Sequence, residues 1–181
     1  MSNTSKPLFY MDIDGVLNPF TTRKIEGYSS FECHAGYIIA NKSHIDWINA
    51  NHNNFDFVWA TSWELQANKH FAPAVGLEPF SETILFGKEH PYLEFHELYP
   101  NDEIRFGLVL NGSFGHKIKW IAAHAGDRPF IFCDDLIVPR EEEWAKERTK
   151  NGIPTLFHRP LRYDGLLDQD LKVFESFLDQ L

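Results

Sequence analysis

The stretch LFYMDIDG at residues 8–15 is an apolar run that ends in two acidic residues and a glycine. An apolar run of this length that is bounded by a turn is typical of a buried β-strand. Asp12 and Asp14 are two positions apart, so on a strand both carboxylates would project in the same direction at its carboxyl end. Two convergent carboxylates repel each other and are stable together only with a cation or a shared proton. Gly15 then allows the backbone to turn sharply.

A second acidic pair follows another apolar run, since residues 129–133 are followed by Asp134 and Asp135. Taken alone, Asp12 and Asp14 also fit an ordinary Asx turn after a strand. Two buried strands that both end in a pair of acids have little structural reason to exist, however. Together they offer four carboxylates, which suit a hard, oxygen-seeking ion such as Mg²⁺. A bound Mg²⁺ would offset the local negative charge and attract a phosphate group.

Apolar runs and helical patterns alternate along the rest of the chain. Strands are predicted at residues 8–13, 55–60, 129–133 and 153–157, with a weaker one at 83–86. Helices are predicted at residues 43–51, 63–75, 114–125 and 141–150, and in a last helix with the stripe Leu167, Leu171, Phe174, Leu178 and Leu181. Ser43 is the expected N-cap of the first helix and Gly76 the expected C-cap of the second.

This alternation predicts an α/β fold with three layers, α/β/α and Rossmann-like, in which helices cover both faces of a mostly parallel sheet. In such folds the functional site lies beyond the carboxyl ends of the strands. The length of 181 residues fits one domain that spans residues 1–181.

Two further sets of polar residues are candidates for this site: a hydroxyl pair after a strand and a lysine at the start of a helix. The predicted strand at residues 55–60 is followed by Thr61 and Ser62, whose hydroxyls and backbone N–H groups at a helix start can bind phosphate oxygens. An N-cap role for either residue is the structural alternative. Lys117 lies early in the predicted helix at residues 114–125, where a cation opposes the helix dipole. Lys119 is the competing lysine, and a solvated surface charge is the alternative for both.

The overall charge limits the partners of the chain. A formal net charge of −9 disfavours adhesion to nucleic acid or to an anionic membrane surface, and no run of Lys and Arg is present. No segment approaches a membrane span, and the N-terminus lacks the apolar run of a signal peptide. We therefore expect a cytoplasmic protein. Cys133 lies in an apolar stretch and is expected to be a buried free thiol.

The ordered set of motifs resembles the haloacid dehalogenase superfamily. The sequence DIDGVLNP at residues 12–19, a later strand that ends in Thr61 and Ser62, the helix-borne Lys117 and the final Asp134–Asp135 pair are similar to its four motifs, in the same order. The similarity covers residues 8 to about 135. The segments WATSWE at 59–64 and GDRP at 126–129 are also similar to a small bacterial branch of that superfamily.

The resemblance implies a phosphohydrolase mechanism. Asp12 would attack phosphorus and form an aspartyl-phosphate, while Asp14 would protonate the leaving oxygen and then activate water. Thr61 would hold a phosphoryl oxygen, with Gly15 and Ser62 as further contacts of that group. Because an acid stands at the second motif position, the resemblance favours phosphatases over dehalogenases.

The resemblance also implies a cofactor and a role for the lysine. Lys117 would steady Asp12 and the phosphoryl charge. Mg²⁺ would be bound by the Asp12 carboxylate, the main-chain carbonyl of Asp14, and Asp134, with Asp135 as an alternative or additional ligand.

A full cap domain, which many members of that superfamily carry, has no room in this chain. Residues 18–42 suffice only for a short flap, and residues 87–110 form a second short insertion, so we expect an open site. Arg23 and Lys24 in the flap are candidates for gripping a substrate anion. His34 and His116 are further candidates for contacting substrate, and Trp63 is a candidate pocket wall.

Several functions remain compatible with these residues. A phosphatase acting on a phosphorylated small molecule or nucleotide is the main hypothesis. An open site also suits a macromolecular end, such as a nucleic-acid terminal phosphate or a phosphoprotein, although no basic track is present. A non-catalytic binding protein is a third alternative, and a phosphomutase a fourth, although the latter usually needs a cap that keeps its intermediate dry.

Overall fold

A computed structural model describes residues 6–21, 23–34, 36–86 and 117–181 of the chain. In chain order, the strands are β1 (Leu8–Met11), β2 (Tyr28–Cys33), β3 (Gly36–Asn41), β4 (Asp56–Trp59), β5 (Glu82–Thr83), β6 (Phe130–Cys133) and β7 (Thr155–His158). Five of them form a sheet in the order β5-β4-β1-β6-β7, and every neighbouring pair is parallel. The predicted α/β fold with a parallel sheet is therefore confirmed.

Helices lie on both faces of this sheet. They are α1 (Lys42–Ala50), a π-helical turn (Ala67–Phe71) that continues into α2 (Ala72–Val75), α3 (Lys117–Ala125), α4 (Pro139–Lys150) and α5 (Asp168–Leu178). Successive side chains of β1 point to opposite faces, so Phe9 and Met11 pack in one apolar cluster with α1, α2 and α5. Leu8 and Tyr10 pack in a second cluster with α3 and with Trp144 of α4. Two buried clusters on opposite faces make the three layers.

The ends of several elements differ from the prediction. Asn41, not Ser43, caps α1, because its Oδ1 accepts a hydrogen bond from the Ser43 backbone N–H at 3.0 Å. Helix α4 begins at Pro139 rather than at residue 141, since proline at the first helical position has the required φ and lacks an N–H that would be unpaired there. The expected cap at Gly76 is confirmed, with φ of +75°.

The helix predicted at residues 63–75 is wrong at its start. Residues 61–64 form a turn, in which the Glu64 N–H donates to the Thr61 carbonyl at 3.0 Å. Glu64 has a positive φ of +47°, which is outside the α-helical region, so the helix cannot extend back through this residue to the end of β4. The turn directs Trp63 towards the carboxyl end of β1, as described below.

The stripe predicted for the last helix is only partly buried. Phe174 is buried as expected, but Leu167 and Leu181 are exposed and Phe177 is buried instead. Leu167 is the N-cap residue and Leu181 lies beyond the end of α5, so neither position follows the helical periodicity.

The segment at residues 18–42, predicted as a flap, contains an antiparallel hairpin of β2 and β3. The insertion predicted at residues 87–110 lies outside the described residues, as does His116. Among the described residues, none of the helices combines the length and the apolar character that a bilayer crossing requires.

Candidate functional site

The strand register brings the carboxyl ends of β1, β4 and β6 side by side. Met11 pairs with Trp59 on one side and with Cys133 on the other. The Asp12 N–H continues this ladder by donating to the Cys133 carbonyl at 3.0 Å, and the Ala60 N–H donates to the Met11 carbonyl at 2.9 Å. Asp12 therefore lies between the strand end that precedes Thr61 and the strand end that precedes Asp134.

Lys117 joins two of these acidic residues. Its Nζ lies 2.6 Å from Oδ2 of Asp12 and 2.7 Å from Oδ2 of Asp134. The ammonium of Lys119 instead lies 5.3 Å from the ring centroid of Trp120. Of the two lysines that sequence reasoning left open, Lys117 is thus the one that contacts the carboxylates.

Burial and charge act in opposite directions on these groups. Burial raises the pKa of Asp12, the Lys117 ammonium opposes this rise and the neighbouring Asp134 adds to it. Burial lowers the pKa of Lys117, but the neighbouring carboxylates of Asp12 and Asp134 raise it by more, so that the pKa of Lys117 is raised overall. Lys117 therefore stays charged at neutral pH, and its ammonium partly offsets the effect of burial on Asp12.

Asp14 is held away from this cluster by two hydrogen bonds. Its Oδ2 accepts from the indole Nε1 of Trp63 at 2.8 Å, and its Oδ1 accepts from the Asn18 side-chain amide at 2.8 Å. The Asn18 Oδ1 in turn accepts from the Ile39 N–H of β3 at 3.1 Å. A carboxylate can accept about four hydrogen bonds, so Asp14 keeps room for a further partner.

Asp135 approaches the backbone of the first motif closely. Gly15 has a φ of +80°, and a Cβ built on it would lie 2.4 Å from Cγ of Asp135. Only glycine combines this backbone conformation with such a close approach. The glycine of the first motif therefore makes space for an acid of the last motif.

Three of the carboxylates are arranged so that they can hold a metal ion. One ligand atom each from Asp12, Asp134 and Asp135 lies within 4.8 Å of the other two. Oδ2 of Asp135 is buried, and within the described part of the chain it accepts no well-formed hydrogen bond, although the Arg162 Nε lies 3.2 Å away. This buried oxygen is therefore paired with one cation, the Arg162 guanidinium, and a metal ion would add a second positive charge beside it. The all-oxygen donor set fits a hard divalent ion but does not identify which one.

Asp14 does not contribute its side chain to this group of three, because both of its oxygens accept hydrogen bonds from Asn18 and Trp63. The main-chain carbonyl assigned to it by the resemblance stays a prediction.

Thr61 and Ser62 have different surroundings. Thr61 is fully buried at the end of β4, and its Oγ1 accepts from the Trp63 N–H at 3.4 Å. This contact lies inside the turn at residues 61–64, so it is a local turn contact and not the helix N-cap that the structural alternative expected. Ser62 is exposed, and the described hydrogen bonds of the acidic residues do not include its hydroxyl. Their binding of a phosphoryl group stays a prediction.

The sequence did not predict that three residues, Asn18, Trp63 and Arg162, contact the carboxylates. Asn18 lies within the first motif, so its proximity to Asp14 is readable from the spacing of four. Trp63 was expected as a pocket wall, and its role as a hydrogen-bond donor to Asp14 depends on the turn at residues 61–64. Arg162, which faces Asp135, follows β7 and carried no sequence signal.

Of the remaining candidates, His34 is exposed at the tip of the hairpin and stacks on His70, with ring centroids 4.6 Å apart. Arg23 and Lys24 are exposed in the segment before β2. None of the described contacts of these residues reaches the carboxylates.

The chain matches no protein-family model, and it has no significant match among curated proteins or solved structures. Its function therefore has to be inferred from the site itself.

Proposed function

We propose that this chain is a Mg²⁺-dependent phosphomonoesterase of the haloacid dehalogenase type, which acts on a phosphorylated small molecule or nucleotide. The observation that carries the proposal is the position of Lys117 between Asp12 and Asp134, with its ammonium 2.6 Å and 2.7 Å from their oxygens. A buried lysine that pairs with two acids at the ends of parallel strands is an unusual structural feature, and buried, charge-coupled groups of this kind concentrate at active sites.

Asp12 is the proposed nucleophile. Its Oδ1 accepts a hydrogen bond from the Ile13 N–H at 2.8 Å, which fixes the orientation of the carboxylate. In the first half-reaction Asp12 attacks phosphorus, the bond from phosphorus to the leaving oxygen breaks, and an aspartyl-phosphate forms. Lys117 stabilises the charge of Asp12 and then that of the transferred phosphoryl oxygens.

Asp14 is the proposed acid and base. It gives a proton to the leaving oxygen in the first half-reaction. In the second it takes a proton from water as the water oxygen attacks phosphorus, and the bond from phosphorus to Asp12 breaks, which releases phosphate and restores the Asp12 carboxylate. Hydrogen bonds from Trp63 and Asn18 fix the orientation of the Asp14 carboxylate, so the side chain is already positioned for proton transfer. A positioned acid or base contributes about 10²–10⁴-fold to such reactions.

Asp12, Asp134 and Asp135 are the proposed side-chain ligands of Mg²⁺. When bound, Mg²⁺ supplies positive charge that lowers the repulsion between a carboxylate nucleophile and a phosphate dianion. The same charge favours the ionised form of Asp12, whose pKa is otherwise raised by burial.

The proposal is tested by phosphate release from a generic aryl phosphate, with and without Mg²⁺. Wild type is expected to require Mg²⁺, and Asp12→Asn is expected to lose turnover because the variant has lost its nucleophile at almost unchanged shape. Asp46→Asn is the matched control, since Asp46 is an exposed acid on α1. Turnover that persists in Asp12→Asn would contradict the aspartyl-phosphate mechanism.

A non-catalytic binding role predicts different results for wild type and for a variant of a metal ligand. In that case Mg²⁺ binds to wild type, as measured by calorimetry, but no phosphate is released from any substrate. Asp135→Asn then weakens Mg²⁺ binding without any activity to lose.

A further inference from the structure

An open groove of about 850 Å³ lies beside the carboxylate site. Its wall comes from three separate parts of the chain: the loop after β1, strand β3 and the segment after β7. The residues that matter are Asn18, Phe20, Arg23, Tyr37, Tyr163 and Asp164. No assigned role of the phosphatase site uses the groove, apart from that of Asn18.

Three aromatic rings of this groove are unusually exposed. Tyr37 is 81% exposed, Tyr163 is 64% exposed and Phe20 is 46% exposed. Each comes from a different segment, so their convergence on one groove is not a property of a single loop. A cluster of exposed large apolar side chains marks a binding surface rather than a packing requirement. Exposed aromatic rings bind flat ligands such as nucleobases by stacking. The Phe20 ring already has the Arg162 guanidinium 4.9 Å from its centroid, so Tyr37 and Tyr163 are the rings that offer the stacking faces.

The groove connects directly to the carboxylates. Asn18 lines the groove and donates the 2.8 Å hydrogen bond to Asp14. The guanidinium of Arg162 lies 4.9 Å from the ring centroid of Phe20, and its Nε lies 3.2 Å from Oδ2 of Asp135. A ligand whose phosphate lies at Asp12 would therefore extend its leaving group past Asn18 and onto the aromatic rings.

The polar groups of the groove select among aromatic ligands. Arg23 offers hydrogen-bond donors and Asp164 offers acceptors at the rim, and a base with polar edges uses both whereas a phenyl ring uses neither. Among the described residues of the lining there is one arginine, and the chain has a net charge of −9, which does not supply the phosphate contacts that a polynucleotide needs. These features favour a single nucleotide over a nucleic-acid strand.

We propose that the groove binds the base and sugar of a nucleoside monophosphate, which makes such nucleotides the substrate class of the site. This inference rests on the proposed phosphatase function for its catalytic part. The binding part is independent of catalysis, because the groove residues Tyr37 and Tyr163 take no part in the chemistry.

The catalytic test compares the 5′-monophosphates of adenosine, guanosine, cytidine and uridine with ribose 5-phosphate, which lacks only the base. Base stacking contributes roughly 1–3 kcal/mol, so kcat/KM for the preferred nucleotide is expected to exceed that for ribose 5-phosphate by roughly 5- to 150-fold. Tyr37→Ala and Tyr163→Ala are expected to lower the nucleotide value towards that of ribose 5-phosphate. Leu161 is an exposed residue of the same segment as Tyr163 but lies outside the groove lining. Leu161→Ala is therefore expected to change kcat/KM neither for the nucleotide nor for ribose 5-phosphate.

A binding test separates this inference from the phosphatase proposal. Asp12→Asn is titrated by calorimetry with each of the four nucleoside 5′-monophosphates, with the corresponding nucleosides and with ribose 5-phosphate, in the presence of Mg²⁺. Tighter binding of the nucleotide than of ribose 5-phosphate, lost in the Tyr37→Ala background, supports the groove assignment even if no substrate is hydrolysed.

Two results would overturn the inference while leaving the phosphatase proposal intact. One is hydrolysis of the aryl phosphate together with equal kcat/KM for nucleotides and ribose 5-phosphate. The other is self-association in sedimentation experiments that Tyr37→Ala abolishes, without any preference for nucleotides, which would make the aromatic face a contact between copies of the chain.

Discussion

The indole Nε1 of Trp63 donates a 2.8 Å hydrogen bond to Oδ2 of Asp14, across 49 positions of sequence. Trp63 reaches this acid because residues 61–64 turn instead of starting a helix directly after β4. The opposite oxygen of Asp14 is held by Asn18, so the carboxylate is fixed from both sides. Its orientation therefore depends on the loop after β4 as well as on its own motif.

Trp63→Phe removes this donor while keeping most of the aromatic bulk. A hydrogen bond to a charged group contributes about 1.5–3 kcal/mol, so we expect kcat to fall by about 10- to 100-fold, with a smaller change in KM. Trp47→Phe is the matched control, because the Trp47 indole donates to Glu175 at 2.9 Å on the surface. Steady-state kinetics check both variants, and an equal loss in both would contradict a positioning role for Trp63.

Lys117→Met is expected to lower kcat by at least about 10²-fold, because it leaves the paired carboxylates without their shared cation. Lys119→Met is the matched control two positions away and is expected to retain turnover. Phosphate release at saturating substrate and Mg²⁺ measures the effect. Loss of activity in the Lys119 variant alone would reverse the assignment of the two lysines.

Gly15→Ala tests the close approach of Asp135. Gly15 and Gly76 have similar φ values of +80° and +75°, but only at Gly15 would a Cβ meet another residue, at 2.4 Å from Asp135 Cγ. Alanine in this conformation costs about 1–2 kcal/mol at either position. We expect Gly15→Ala to be destabilised by about 1–3 kcal/mol more than Gly76→Ala, because the clash forces Asp135 to move. Urea denaturation of both variants measures the difference, and equal values would show that Asp135 yields without cost.

The stability of the chain is expected to depend on pH through Glu141. Burial raises the pKa of Glu141 from its ordinary value of 4.5 to about 7, while its Oε2 accepts from the Val138 N–H at 2.9 Å. Because the folded chain holds this proton more tightly than the unfolded chain, the contribution is fully present below about pH 4.5. It is lost as pH rises to about 7.

Glu141→Gln keeps the acceptor for Val138 but cannot ionise. We therefore expect it to match wild type near pH 4.5 and to exceed wild-type stability by about 1–3 kcal/mol at pH 8. Urea denaturation across this pH range, in the presence of a chelator, measures the change. Glu143→Gln, at an exposed position of α4, is the control and is expected to leave the pH profile unchanged.

Local patterns predicted β1, β4 and β6 well because these strands are mainly apolar and buried. The two-residue strand β5 is polar and partly exposed, and it was the weakest prediction. All five strands of the sheet overlap the predicted segments, with end errors of at most two residues, except that β5 ends three residues before its predicted end. The helices were less predictable where a tertiary contact overrides local preference. The turn at residues 61–64 replaces the start of a predicted helix, and the hydrogen bond from Trp63 to Asp14 is the contact that accompanies it.

The alternation of strands and helices was predictable from local patterns, and with it the positions of Asp12, Asp14, Asp134 and Asp135 after the ends of parallel strands. Hydrophobic periodicity and the rule for carboxyl ends suffice for this, because both depend on neighbouring residues. Only the tertiary structure decided that Lys117 contacts Asp12, 105 positions away, and that Arg162 faces Asp135. It also decided that Phe20, Tyr37 and Tyr163 share one groove. These contacts join segments that are far apart in the chain, and their distances depend on how the layers pack rather than on any local pattern.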